Sequence, residues 1–233
     1  MNLYMLIFIV FMALSWIVSK VLNARIEKYS KMGISSGLSG KEIAEKMLHE
    51  HGIFDVTVTC TSGVLTDHFN PENKTVNLSE AVYNGRNISA AAVAAHECGH
   101  AVQHATAYRW ITMRTKMVPV VQFGSKWSQW ILLAGILLLS ISKAFQSIGQ
   151  GILLAGIVLF ALTTLFSIIT LPVEYNASAR AVEWLDRTGM TTGKENEYAK
   201  DALKWAARTY LIAALSSLAT LLYYIFIFLR SRD

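Results

Sequence analysis

The chain has 233 residues, 53% of them hydrophobic and 16% charged, and carries a formal net charge of +5. That length suits one sizeable domain, and no basic stripe interleaved with aromatics points to a nucleic-acid partner. Two cysteines, Cys60 and Cys98, are too few for a disulfide framework and suit a reducing compartment.

Four stretches are apolar enough to cross a bilayer, which takes about 20 residues each. They lie at 3–22, 127–144, 151–171 and 211–229. The second is the weakest, because Ser140, Ser142 and Lys143 interrupt its end. Buried core helices are the alternative reading, but 211–229 nearly reaches spanning length without a charge. Trp127, Trp130 and Tyr210 fall at span ends, where aromatic belts form. The first stretch has no basic residue before it and no small-residue cleavage site after it. It therefore reads as an uncleaved anchor with its N-terminus outside. Four spans then place 20–126 and 172–208 on one side, with 12 and 6 of the 21 basic residues. Only Lys143, Arg230 and Arg232 lie opposite. The positive-inside rule puts both large segments in the cytoplasm.

Beyond the first span, KMGISSGLSG reads as a connector. SGKE at 39–42 is a capping-box pattern, so a helix is expected over 40–51, with Ile43, Met47 and Leu48 inward and Gly52 ending it. His49 and His51 fall at its polar end. Strands are expected over 55–59, 63–69 and 74–78, a small β unit around the NPEN turn. An Ala-rich helix follows over 90–106. After two spans, helices are expected over 173–187 and 194–208, split by a glycine-bearing turn at 189–193, and the last span closes the chain.

The Ala-rich helix carries HECGHAVQH from His96 to His104. Residues four apart on a helix are neighbours one turn apart. His96 and His100 can therefore grip one zinc ion at about 2.1 Å each, with Glu97 facing the open coordination position. His104 lies about 12 Å of helix rise beyond His96, too far to join them on one ion. It is left as a cleft-lining or supporting residue. Cys98 points about 200° round the helix from His96 and into the core.

A third ligand must come from elsewhere. Glu174, in LPVEYNASARA, is the best candidate. Pro172 suits a helix start, and a carboxylate there suits the helix dipole. Glu183 and His68 are rivals. Asp67 is a candidate to orient a histidine. His68, His104, Tyr175 and Arg180 are candidates to stabilise an oxyanion.

The stretches GVLTDHF, VNLSEAVYNGRNISAAAVAAHECGHAVQH and LPVEYNASARA resemble the bacterial membrane neutral zinc metallopeptidases of the YugP-like group. That group is itself distantly similar to HtpX-type membrane proteases, and the resemblance covers nearly the whole chain. It implies zinc ligands His96, His100 and Glu174, with Glu97 catalytic. The chain departs from the group at Asn176, where Asp is usual, and from the distant relatives at Ser178, where they carry Asp. Both positions bear on how the ligands are supported rather than on which residues they are.

The expected protein is mainly α, with about four transmembrane helices, a zincin-like HExxH helix domain and a small β unit. It divides into an anchor (1–22), a catalytic segment (23–126), a transmembrane hairpin (127–171), a helical segment supplying the third ligand (172–210) and a C-terminal transmembrane helix (211–233). The expected activity is a multi-pass cell-membrane endopeptidase that hydrolyses peptide bonds with a zinc-activated water and Glu97 as general base. Its partners would be a peptide or membrane-protein substrate and the lipid bilayer. An extended substrate could add to the β unit as a strand. The alternatives are a catalytically silent zinc-binding membrane scaffold and a zinc hydrolase of a non-peptide amide.

Overall fold

The computed structural model describes residues 3–232. Seven α-helices and three strands occur among them, in the order α1 (Leu3–Ser30), α2 (Gly40–Glu50), β1 (Thr57–Thr61), β2 (His68–Asn70), β3 (Thr75–Ser79), α3 (Glu80–Tyr83), α4 (Ile88–Ala105), α5 (Arg109–Ile141), α6 (Gln146–Arg187) and α7 (Lys194–Arg230). Four of the helices, α1, α5, α6 and α7, are long and apolar enough to cross a membrane. The described residues form two compact units, one within 3–15, 113–171 and 210–232, the other within 16–112 and 172–209.

The first unit packs through small residues. A Cβ on Gly135 would meet the Leu153 backbone, and one on Gly156 would meet Leu132. These close approaches bring α5 against α6 around Leu132, Leu153, Ile157 and Tyr224. Thr164 Oγ1 and Ser217 Oγ, 2.7 Å apart, tie α6 to α7. The outward residues of this unit, such as Trp130, Leu137, Val158, Leu222 and Phe226, are large, apolar and exposed. Lipid rather than water suits such a surface.

The second unit has the aqueous logic. Ser39 caps α2 through the reciprocal box: Ser39 Oγ accepts from Glu42 N, and Glu42 Oε2 accepts from Ser39 N at 2.7 Å. Ile43, Ala44, Met47 and Leu48 on α2 are fully buried, and they pack with the alanine-lined face of α4. Gly52, at φ 70°, takes the left-handed conformation that ends α2. Asn87 caps α4 by accepting from Ala90 N at 2.9 Å. The sheet order is β1-β3-β2, with β1 parallel and β2 antiparallel to β3.

Three expectations are corrected. The strand expected over 63–69 forms only at His68–Asn70. Gly63 and Leu65 sit at φ 105° and 57°, outside the β region, and make a loop instead. The helices expected over 173–187 and 194–208 are not separate elements but the ends of α6 and α7. Pro172 lies inside α6 and does not start a helix. A proline here removes one backbone donor, yet 42 residues of continuous apolar-to-amphipathic helix carry through it. At about 63 Å, α6 is about twice the hydrocarbon thickness of a bilayer; its residues up to 171 belong to the first unit and those from 172 to the second. The four-residue α3 was not foreseen. Asp67 sets its start by accepting from both Ser79 N (2.7 Å) and Ser79 Oγ.

Candidate metal centre

The site begins with α4. Its alanines at 90, 91, 92, 94 and 95 are all buried, so the helix runs through the middle of its unit rather than along the surface. His96 and His100 emerge one turn apart with ring centroids 4.8 Å apart at 81°. Facing them is α6. Gly99 makes this approach possible, because a Cβ there would stand 2.7 Å from Ala177 O and 3.1 Å from Ala177 Cα. Farther along, Trp184 Nε1 donates to Glu50 Oε2 at 2.9 Å and pins α6 to α2.

Glu174 is 2% exposed and turns its carboxylate to the two imidazoles. Its Oε2 lies 3.3 Å from His96 Nε2 and 3.5 Å from His100 Nε2. The three ligating atoms lie within 4.8 Å of one another. A tetrahedral zinc site with bonds of about 2.0–2.1 Å has ligand-to-ligand edges of about 3.3 Å. Two of the three edges already have that length. Two imidazoles and one carboxylate are also a donor set that leaves a fourth position open. The residues thus form a group able to hold a metal ion, and they fit zinc. Because Pro172 is interior to α6, the helix dipole has no part in this. The carboxylate instead faces the two imidazole edges, where a cation held among the three would compensate its buried charge.

Glu97, beside the group, is buried as well. Its Oε2 accepts from Phe69 N at 3.0 Å, which ties β2 to the HExxH helix. Burial pushes its carboxyl up to about 6; His96 opposes the shift, Glu174 and Asp67 add to it, and the Phe69 N–H opposes it. A carboxyl tuned toward neutrality is suited to proton transfer.

The ring nitrogens away from the group are both engaged. His96 Nδ1 lies 3.2 Å from Ser178 Oγ. His100 Nδ1 lies 3.1 Å from Gln103 Oε1, and Gln103 Nε2 donates to Val173 O (2.8 Å) and Asn176 Oδ1 (3.0 Å). Sequence reasoning missed Gln103. The available signal was its spacing, three residues after His100 and on the same helical face.

The remaining expected residues are placed elsewhere. His68 is exposed and outside the group, with Nδ1 at 2.8 Å from Thr66 O and Nε2 at 3.2 Å from Asn77 Nδ2. The carboxylate of Asp67 is held by Ser79 rather than by a histidine. His104 is exposed and rests its ring near Phe69. Arg180 Nε donates to Asn176 Oδ1 at 2.8 Å. Glu183 and Tyr175 are exposed. Cys98 is fully buried, with Sγ 3.5 Å from Ala44 O, and burial pushes its thiol far up.

A family model described as "Putative neutral zinc metallopeptidase" matches residues 4–229. The chain belongs to that family. This metallopeptidase-family chain is also 42% identical over 218 residues to "Putative membrane protease YugP" of Bacillus subtilis (strain 168), covering 94% of the chain and 92% of the relative. No solved structure matches it.

The close contact at Gly99 yields a prediction for the family chain. Gly99→Ala forces α4 and α6 apart by pressing on backbone that cannot rotate away. The expected cost is about 1–3 kcal/mol of stability together with weaker zinc binding. Thermal unfolding and a zinc titration of the variant would check both; unchanged values would mean the helices have slack.

Proposed function

We propose that this protein is an integral-membrane zinc endopeptidase in which His96, His100 and Glu174 hold the ion and Glu97 is the general base. The convergence of two Nε2 atoms and Oε2 of a carboxylate from a distant helix, beside a buried glutamate, carries the reading. Zinc, when bound, supplies a Lewis acid and lowers the pKa of water to about 7. The chain does the rest. Glu97 takes a proton from the attacking water and returns it to the departing amine. Its burial keeps bulk water from competing for that proton. Strand β2 is one of the two edge strands of the sheet, and its Phe69 N–H reaches Glu97. An extended peptide paired along β2 would therefore run past the base, with selectivity for backbone over side chains. The relative's description as a membrane protease agrees with a protein substrate.

The decisive experiment is zinc content and cleavage of a casein-type substrate by purified full-length protein. One zinc per chain is expected, with activity lost to a chelator and restored by zinc. Metal-free protein with undiminished cleavage would end the proposal.

We also place the active site on the cytoplasmic face. The basic residues flanking the four apolar stretches support this, since they cluster at the ends of 20–126 and 172–208. Single cysteines at Ser36 and Ser147 test it in a background without Cys60. In intact cells an impermeant reagent should label position 147 and spare 36. The opposite pattern would invert the topology.

A further inference from the structure

We propose that Gln103, set by Asn176 and Arg180, is the positioning residue that holds His100 in the tautomer a metal requires. The inference rests on the metal-site reading above.

The argument follows proton polarity along a chain of contacts. Arg180 Nε is a donor with no acceptor capacity, so the Asn176 atom 2.8 Å from it must be the oxygen. That oxygen is also 3.0 Å from the Gln103 amide, so Gln103 must present its NH2 there. Val173 O, a backbone acceptor 2.8 Å from the same nitrogen, demands this independently. The Gln103 oxygen is left facing His100 Nδ1 at 3.1 Å. An oxygen there favours the proton on Nδ1 over the pull of the Glu174 carboxylate, 3.5 Å from Nε2, and so leaves Nε2 its lone pair for a metal. Nε2 is the atom turned to Glu174.

Gln103 is fully buried, so water cannot replace its bonds. A buried amide flips only by losing hydrogen bonds at both ends, which is costly. Everything that orients Gln103 lies on α6, between Val173 and Arg180. The same stretch supplies Glu174, and Ser178 to His96. About two turns of α6 thereby provide one ligand and orient the other two.

The test uses full-length protein in detergent, with zinc as the probe. In metal-free protein at about pH 8, nitrogen NMR of labelled histidines reports which ring nitrogen carries the proton. Wild type should show His100 protonated at Nδ1. Gln103→Met, similar in shape but without donor or acceptor, should populate the other tautomer. By chelator competition it should bind zinc about 10–100-fold more weakly, the usual loss when a ligand's supporting contact is removed. Should Gln103→Met misfold, Asn176 serves alone: Asn176→Val should weaken zinc binding, and Asn176→Asp, which keeps the acceptor, should restore it. Wild-type tautomer and zinc affinity in Gln103→Met would overturn the proposal. So would equal losses in Asn176→Val and Asn176→Asp. Failure of the wild type to bind zinc would instead overturn the metal-site reading, while the tautomer measurement on metal-free protein would still decide the role of Gln103.

Discussion

Replacing Glu97 with Gln should reduce cleavage of a casein-type substrate by about 10²–10⁴-fold, the usual worth of a positioned general base, while zinc stays bound. The two effects separate because the side chain has two jobs. Its Oε2 accepts from Phe69 N, and a glutamine oxygen can accept the same bond, so β2 and α4 remain joined. An amide cannot take a proton from water near neutral pH, so general-base assistance is lost. The substitution also removes a buried carboxyl that its surroundings push up to about 6, so the variant should fold at least as well as the parent. Zinc stoichiometry and cleavage measured on the same preparation make the comparison. Equal activity in both forms would leave a zinc-holding scaffold as the better description, and cleavage of non-peptide amides alone would favour the third reading.

Glu174→Ala should lose most of the bound zinc, whereas His104→Ala should keep it. The contrast comes from position. Glu174 is buried between α6 and α4, with Oε2 3.3 and 3.5 Å from the two imidazoles. His104 is exposed near the end of the same helix that carries them. Without the carboxylate, two neutral ligands face a divalent ion alone. The loss should exceed the about 10–100-fold typical of a lost supporting contact. Metal analysis after dialysis against a weak chelator would measure it. Zinc retained by Glu174→Ala and lost from His104→Ala would mean the third ligand was misassigned.

Much of this was readable in the chain itself, because the signals were local. SGKE specified a capping box that needs only residues 39–42, and the box forms. The four apolar stretches needed only length and composition, and four helices of that character are present. The spacing in HECGH needed only the pitch of a helix, which is why His96 and His100 could be paired before any fold was known. Cys98 could be turned inward by the same geometry, and it is fully buried.

What the sequence could not decide were matters of distant partners. Pro172 looks like a helix start from its neighbours, since the penalty of an interior proline is local and its compensation is not. Only the folded chain shows that the helix runs through it. The loop at 63–67 alternates like a strand, yet positive φ at Gly63 and Leu65 breaks it. Gln103 carries no motif, and its importance lies in facing Val173 and Asn176, 70 and 73 residues away. Local chemistry was therefore enough to name the helix that offers two imidazoles. Which carboxylate meets them, and what holds each ring in place, depended on a second helix brought within reach of Gly99, and no short-range rule contains that distance.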